Sequence, residues 1–171
     1  MQTQTAKVQI PEEHKPKEDI VQMVGFLVGR ESFGVNILSV QEIIRDASIT
    51  PVPDSPDFIE GVINLRGNII PVIDLRKRMK VQSEEDGDNV IWVIILNIQN
   101  RVTGFVVDKV TRVIKVPRSS FSHPPEKGVA GLKSHYIQAV CKTETEMLIL
   151  LDFNRILMVD EIKKLKEMKR R

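Results

Sequence analysis

An internal repeat constrains the fold of this sequence more than any other feature. The block Phe58–Met79 aligns without gaps with Tyr136–Leu157, at an offset of 78 residues. An earlier block, Gly34–Ile44, aligns in the same way with Gly104–Ile114, at an offset of 70 residues. The blocks follow each other in the same order, and the matched positions include a glycine and an aspartate as well as apolar residues. Two similar structural units in tandem are the natural inference.

The units should be built from strands. Short runs rich in valine and isoleucine are separated by turn residues, and this spacing favours an all-β barrel class over alternating strands and helices. With the repeat, it predicts two tandem five-stranded β-barrels. The predicted strands are Met23–Val28, Ser32–Val35, Gln41–Arg45, Gly61–Leu65, Asn68–Ile73, Val90–Ile98, Val102–Val107, Thr111–Val116, Tyr136–Cys141 and Met147–Leu151.

These patterns divide the chain into five parts. Residues 1–19 are polar, contain two prolines and should form a mobile tail, and 20–82 should form the first barrel. The acidic stretch 83–88 is the predicted connector, and 89–158 should form the second barrel. Residues 159–171 predict a basic amphipathic helix with Asp160 as its cap, packed on a barrel or reaching a neighbouring protein. The sequence leaves open whether the first strand crosses to the other barrel.

Composition excludes several classes of function. The net charge of +2 comes from a surplus of three positive charges in 159–171, so the rest of the chain carries −1. With one tryptophan and one tyrosine, the chain has little with which to stack nucleic-acid bases. The longest apolar run, Val90–Leu96, is far shorter than the ~20 residues of a membrane helix, which predicts a cytoplasmic protein. The single cysteine, Cys141, allows no internal disulfide and should be a small buried residue.

No catalytic pattern is visible in the sequence. It contains no glycine-rich phosphate loop and no GxSxG, HExxH or CxxC motif, and its histidines, His14, His123 and His135, are scattered. We therefore predict no enzymatic activity, no cofactor and no metal. Asp74 and Asp152 follow matched strands, where a carboxylate can cap a helical turn; paired-carboxylate chemistry is the alternative.

One charged residue stands out at the tip of an apolar hairpin. Arg66 lies in the island Asn64–Asn68 between two nearly charge-free strands, and its counterpart in the repeat is Glu144. The hairpin therefore does not need an arginine in order to fold. A side chain that the fold does not require, on a tight turn, is well placed to meet a partner. The alternative is an ordinary solvated charge.

Four segments resemble, in order and spacing, the CheW family of bacterial chemotaxis coupling proteins. They read FGVNILSVQEIIR, TPVPDSPDFIEGVINLRGNIIPVIDLRKRM, RVTGFVVDKVTRVI and MLILLDFNRIL, and the resemblance runs from about Met23 to Leu157. It implies SH3-like barrels and a scaffold that joins the signalling tips of chemoreceptors to the regulatory domain of the histidine kinase CheA. Such a protein would be cytoplasmic and recruited to membrane-associated receptor arrays. A regulatory module of a CheA-like kinase in a non-chemotactic pathway is the alternative.

The resemblance also implies individual binding residues. Gly61 matches a position associated with kinase binding, and a strand bulge is the competing explanation for this glycine. If Gly61 lies in the kinase interface, Gly61→Asp should lose kinase binding and keep its stability. Core packing is the competing explanation for Ile37, Val40 and Val107, and the positions of the second barrel rest on internal symmetry. The implied receptor contacts are Ile37, Val40, Glu42 and Arg66 in the first barrel and Val107 and Val110 in the second.

Overall fold

The computed structural model of the protein describes residues 19–81, 90–129 and 131–157. Almost all of the predicted tail, the whole connector 83–88 and the helix predicted for 159–171, including Asp160, lie outside the described residues. The described part is mainly β, as the sequence predicts. The strands are β1 (Ile20–Val28), β2 (Glu31–Asn36), β3 (Val40–Arg45), β4 (Ile59–Leu65), β5 (Asn68–Asp74), β6 (Trp92–Ile98), β7 (Arg101–Val107), β8 (Lys109–Pro117), β9 (Phe121–Ser122), β10 (Ile137–Lys142) and β11 (Met147–Leu151). The α-helices are α1 (Leu75–Met79) and α2 (Phe153–Ile156).

The strands form two sheets, and each sheet takes strands from both halves of the chain. Sheet A has the order β8-β1-β2-β11-β10-β9, and sheet B has the order β3-β6-β7-β5-β4. The strand exchange that the sequence left open is therefore present, and it involves the first two strands of each half. The sheets do not coincide with the stretches 20–82 and 89–158, and a division into domains at those boundaries stays a prediction.

The pairing register follows the internal repeat. In sheet B, Val72 of β5 lies opposite Gly104 of β7 in a parallel pair. In sheet A, Leu150 of β11 lies opposite Gly34 of β2, also in a parallel pair. These are matched positions of the two repeat blocks, so the two sheets are built alike. A Cβ on Gly104 would lie 2.9 Å from a methyl group of Val93, which explains the glycine in this block.

The apolar core consists of three clusters, of which the largest holds the two sheets together. The largest contains residues of both sheets and lies between them, and each sheet has a second cluster on its other face. Strand β6 contributes alternate residues to two of the clusters. Ile94 and Leu96 belong to the shared cluster, whereas Val93 and Ile95 belong to the cluster of sheet B. A strand buried on both faces reads as a continuous apolar run. Cys141 is fully buried in the cluster of sheet A, as predicted, and burial raises the pKa of its thiol.

The matched aspartates cap the two short helices. Asp74 Oδ1 accepts hydrogen bonds from the backbone N–H groups two and three residues further on, at 2.9 and 3.4 Å. Asp152 Oδ1 does the same at 3.1 and 3.2 Å. The capping interpretation is therefore confirmed. Burial raises the pKa of the Asp74 carboxyl, and the nearby positive charge of Arg76 opposes this effect.

Arg78 joins the two repeat units. Its guanidinium carbon lies 5.3 Å from the ring centres of both Phe58 and Tyr136, which are matched positions of the repeat. Its Nη1 donates a hydrogen bond of 2.7 Å to the Tyr136 hydroxyl, and its Nε donates one of 3.0 Å to the carbonyl of Ile156. The side chain thus ties α1, which follows sheet B, to α2, which follows sheet A.

Candidate functional site

The hairpin tip that carries Arg66 is a two-residue turn. Leu65 and Asn68 form the last pair of β4 and β5, and both turn residues have positive φ, 54° at Arg66 and 86° at Gly67. Positive φ at both positions is the type I′ geometry that suits the twist of a hairpin. The amide oxygen of Asn64 accepts a hydrogen bond of 2.9 Å from the Gly67 N–H and fixes the turn. The Arg66 side chain is 75% exposed at the end of a rigid support.

Arg66 forms an ion pair with another predicted site residue. Its guanidinium lies 3.1 Å from a carboxylate oxygen of Glu42 on β3. Strands β3 and β4 are the opposite edges of sheet B, so the sheet must be strongly curved to bring the two side chains together. An exposed pair of this kind contributes about 0 to 1 kcal/mol to stability. A partner can therefore replace either side of the pair at little cost.

Apolar side chains precede Glu42 in the chain. Ile37 and Val40 are half-buried and pack against the shared core, so each combines packing with an accessible portion. Leu38 lies between them in a 3₁₀ turn and is 90% exposed. Sequence reasoning missed Leu38. The signal that could have found it is Asn36, whose side chain caps this turn by accepting a hydrogen bond of 2.9 Å from the Leu38 N–H.

The two predicted contacts of the second half differ in their burial. Val107 is only 2% exposed and belongs to the shared core, so the structure gives it the packing role that the sequence left as the alternative. It cannot contact a partner directly from this position. Val110 lies on β8, is half-buried and packs against the same core.

Gly61 has a structural reason to be glycine. Its φ of +149° is one that other residues rarely adopt, and the pairing of β4 with β5 shifts register between Ile59 and Gly61. A Cβ at Gly61 would overlap the carbonyl group of Thr50. That residue is held in place by two backbone hydrogen bonds: its N–H donates to the carbonyl of Val62 at 2.8 Å, and its carbonyl accepts from the N–H of Val62 at 2.9 Å. The strand bulge that the sequence offered as the competing explanation is therefore present. A role of Gly61 in kinase binding stays a prediction.

The second half carries the same arrangement with its charges reversed. Arg112 on β8 is the repeat counterpart of Glu42, and its guanidinium lies 3.4 Å from a carboxylate oxygen of Glu146. Glu146 lies in the loop between β10 and β11, the counterpart of the Arg66 turn. We call residues 37–45 with the Arg66 turn the first-half surface, and β8 with the loop 143–146 the second-half surface. A partner that is recognised through its charges at one surface would meet charges of the opposite sign at the matched positions of the other surface.

Two features were sought among the described residues and not found. No helix among them has the length and apolarity needed to cross a membrane. Within the same ranges, no group of three or more histidine, cysteine, aspartate or glutamate side chains could hold a metal ion.

Comparison with protein families assigns the chain. Residues 22–161, which contain both surfaces, match the family of CheW-like domains. The chain belongs to the CheW family. It is therefore a chemotaxis protein of the scaffold or adaptor kind, and the family resemblance that the sequence motifs carried is confirmed.

Individual relatives cover nearly the same part of the chain. A chemotaxis protein CheW of Treponema pallidum is 35% identical over 147 residues, which are 84% of this chain and 86% of that protein. One of Klebsiella aerogenes is 39% identical over 137 residues, 80% of this chain and 81% of that protein. The crystal structure of the scaffolding protein TtCheW from Thermoanaerobacter tengcongensis superposes with a TM-score of 0.75 at 34% identity, covering 82% of this chain and 94% of that one. The all-β architecture is therefore that of a solved CheW scaffold.

Proposed function

We propose that this protein is a non-enzymatic scaffold that couples the signalling tips of chemoreceptors to the histidine kinase CheA. The observation that carries the proposal is the CheW match over 22–161, which includes every predicted contact residue. The protein would act in the cytoplasm, recruited to receptor arrays at the membrane. Its contribution would be to hold two partners together, so that its surfaces rather than a catalytic pocket determine what it does.

The receptor would bind at the first-half surface. A receptor tip is a helical hairpin, and apolar side chains such as Leu38, with the accessible parts of Ile37 and Val40, can supply affinity for such a helix. Apolar contact alone fixes the register of a helix poorly. The exposed charges of Glu42 and Arg66 at the edge of this apolar surface would fix it, because wrong placements bring like charges together.

The kinase would bind near Gly61. Gly61 itself is buried against the carbonyl of Thr50, so the kinase would contact its half-buried neighbours on β4 rather than its backbone. Receptor and kinase would then occupy different parts of sheet B, the first at the Arg66 turn and the second along β4. Separate sites are what a coupling protein needs in order to hold both partners at once.

Separate titrations test this proposal. Calorimetry of the full chain with a soluble receptor signalling fragment, and then with the CheA regulatory domain, should show binding to both. Binding to the kinase domain alone would favour a regulatory module of a kinase in a non-chemotactic pathway. Binding to neither would contradict the scaffold proposal.

A further inference from the structure

Two connections cross from one sheet to the other at matched places in the repeat, and they are built differently. The first leads from β2 to β3 through residues 37–39, and the second leads from β7 to β8 through Asp108. Leu38 and Asp108 are counterparts at the offset of 70 residues. Leu38 is turned to solvent, whereas the side chain of Asp108 is only 28% exposed. The two crossings therefore differ in what fills the space beside them.

Asp108 closes the second crossing from within the chain. Its Oδ2 accepts a hydrogen bond of 2.6 Å from the N–H of Gly29, the first residue of the β1–β2 turn. Its Oδ1 lies 3.3 Å from the guanidinium of Arg76, near the start of α1. One acidic side chain thus occupies the space between a hairpin turn, the start of a helix and the crossing, and it binds to both of its neighbours.

The same three elements of the other half surround an open cleft of about 390 Å³. The counterpart of Gly29 is Gln99, the first residue of the β6–β7 turn, and the counterpart of Arg76 is Asn154, near the start of α2. Both line the cleft, together with Asn36 and Ser39 of the first crossing. The cleft is therefore the counterpart of the space that Asp108 fills, and the exposed Leu38 leaves it open.

The groups around the cleft favour a neutral occupant. Asn154 stands where the filled site has an arginine, so a carboxylate would find no ion pair there. Two charged residues line the cleft, but both are engaged: Arg118 donates a hydrogen bond of 2.8 Å to Asp19, and Asp152 caps α2. A carboxamide both donates and accepts hydrogen bonds, so it can pair with the amide of Asn154 through two of them. An asparagine or glutamine side chain therefore matches this lining better than an acid does.

We propose that the cleft receives an asparagine or glutamine side chain of the receptor tip. The inference rests on the proposed binding of the receptor at the first-half surface, which includes Leu38. Since Leu38 lies between two lining residues of the cleft, a helix that packs on it reaches the cleft with a side chain about one turn away. A helix without an amide at that place buries the polar lining without partners, and such a mismatch rejects wrong helices.

Calorimetry of the full chain with the soluble receptor signalling fragment tests the proposal. Asn154→Leu keeps the size of the side chain but removes its amide, and it should weaken binding about tenfold, as should Asn154→Ala. Arg155→Leu is the matched control, because Arg155 is the next residue of α2, is exposed and lies outside the cleft lining. It should change affinity by less than about twofold. Unchanged affinity of each variant for the CheA regulatory domain shows that it folds.

A double-mutant cycle then identifies the inserted side chain. Alanine is placed in turn at each exposed asparagine, glutamine, aspartate and glutamate of the fragment. One amide position should lose about tenfold in affinity for the wild-type protein and nothing further for Asn154→Leu, since both changes remove the same contact. Coupling to an acidic position instead, or additive losses at every position, would overturn the proposal, as would equal affinities of wild type and Asn154→Leu. A fragment that does not bind the wild-type protein would overturn the proposed receptor binding as well.

Discussion

Replacing Gly61 with alanine should lower the free energy of unfolding by about 2 to 6 kcal/mol, since a backbone conformation reserved for glycine costs about 1 to 3 kcal/mol and steric overlap adds a similar amount. The overlap is with the backbone carbonyl of Thr50, which is held by its hydrogen bonds to Val62 and cannot move aside as a side chain could. Urea unfolding of the wild-type protein and of the Gly61→Ala variant, with comparison of their midpoints and slopes, measures the difference in the free energy of unfolding.

Gly67 provides a matched control for this prediction. It also has positive φ, +86°, but a Cβ there would have no atom within 4 Å. Gly67→Ala should therefore cost only the conformational penalty, about 1 kcal/mol. If Gly61→Ala costs no more than Gly67→Ala, the overlap at Thr50 is not what requires the glycine. The same geometry changes the expectation for Gly61→Asp: we now expect its stability to fall, so lost kinase binding in that variant would not by itself locate the kinase interface.

Replacing Arg66 with glutamate should weaken receptor binding by about 1 to 3 kcal/mol, roughly fivefold to 150-fold in Kd, and leave kinase binding unchanged. The charge at the turn would repel the receptor groups that arginine attracts. The new carboxylate would also lie beside Glu42, but both side chains can turn into solvent, so stability should fall by less than about 1 kcal/mol. Titration of the variant against the receptor fragment and the kinase domain, with a melting curve for each protein, measures all three effects.

Two further variants separate the possible causes. Glu42→Arg combined with Arg66→Glu restores the ion pair in the opposite sense. Affinity that stays low shows that the receptor reads the charges at these two positions directly, whereas recovered affinity shows that only the pair is needed. Arg112→Glu makes the same charge change in the second-half surface, beside Glu146. It should change receptor affinity by less than about twofold, within the range of most surface substitutions. An equal loss in Arg112→Glu would assign the effect to net charge and contradict a local contact.

The sequence predicted most of the strands and both helix caps, because each depends on residues close together in the chain. It could not allocate the strands to the sheets, and the repeat itself explains this. Gly34 and Gly104 offer β5 and β11 nearly the same surface, so pairing within one half and pairing between halves look alike in the sequence. Only the complete packing of both sheets decides between the two arrangements.

Only part of the candidate site could be predicted from the sequence, because the rest also depends on how the sheets pack. For Val107 the sequence left receptor contact and core packing both open, because β7 is buried on both faces and alternation along the strand cannot show which valine is accessible. The exposure of Leu38 was not predicted because the residue lies in a 3₁₀ turn, where the alternation of a strand does not apply. The contact between Glu42 and Arg66 depends on the curvature of a whole sheet, since it joins residues near opposite edges.

Simultaneous binding of receptor and kinase by one molecule is tested most directly by sedimentation of a fluorescent receptor signalling fragment. The fragment alone, and the fragment mixed with the CheA regulatory domain, should sediment slowly. We expect a single faster species containing all three proteins when this protein is added at a concentration above both dissociation constants. A fragment that sediments with either partner but never with both, or with the kinase domain in the absence of this protein, would contradict the coupling function.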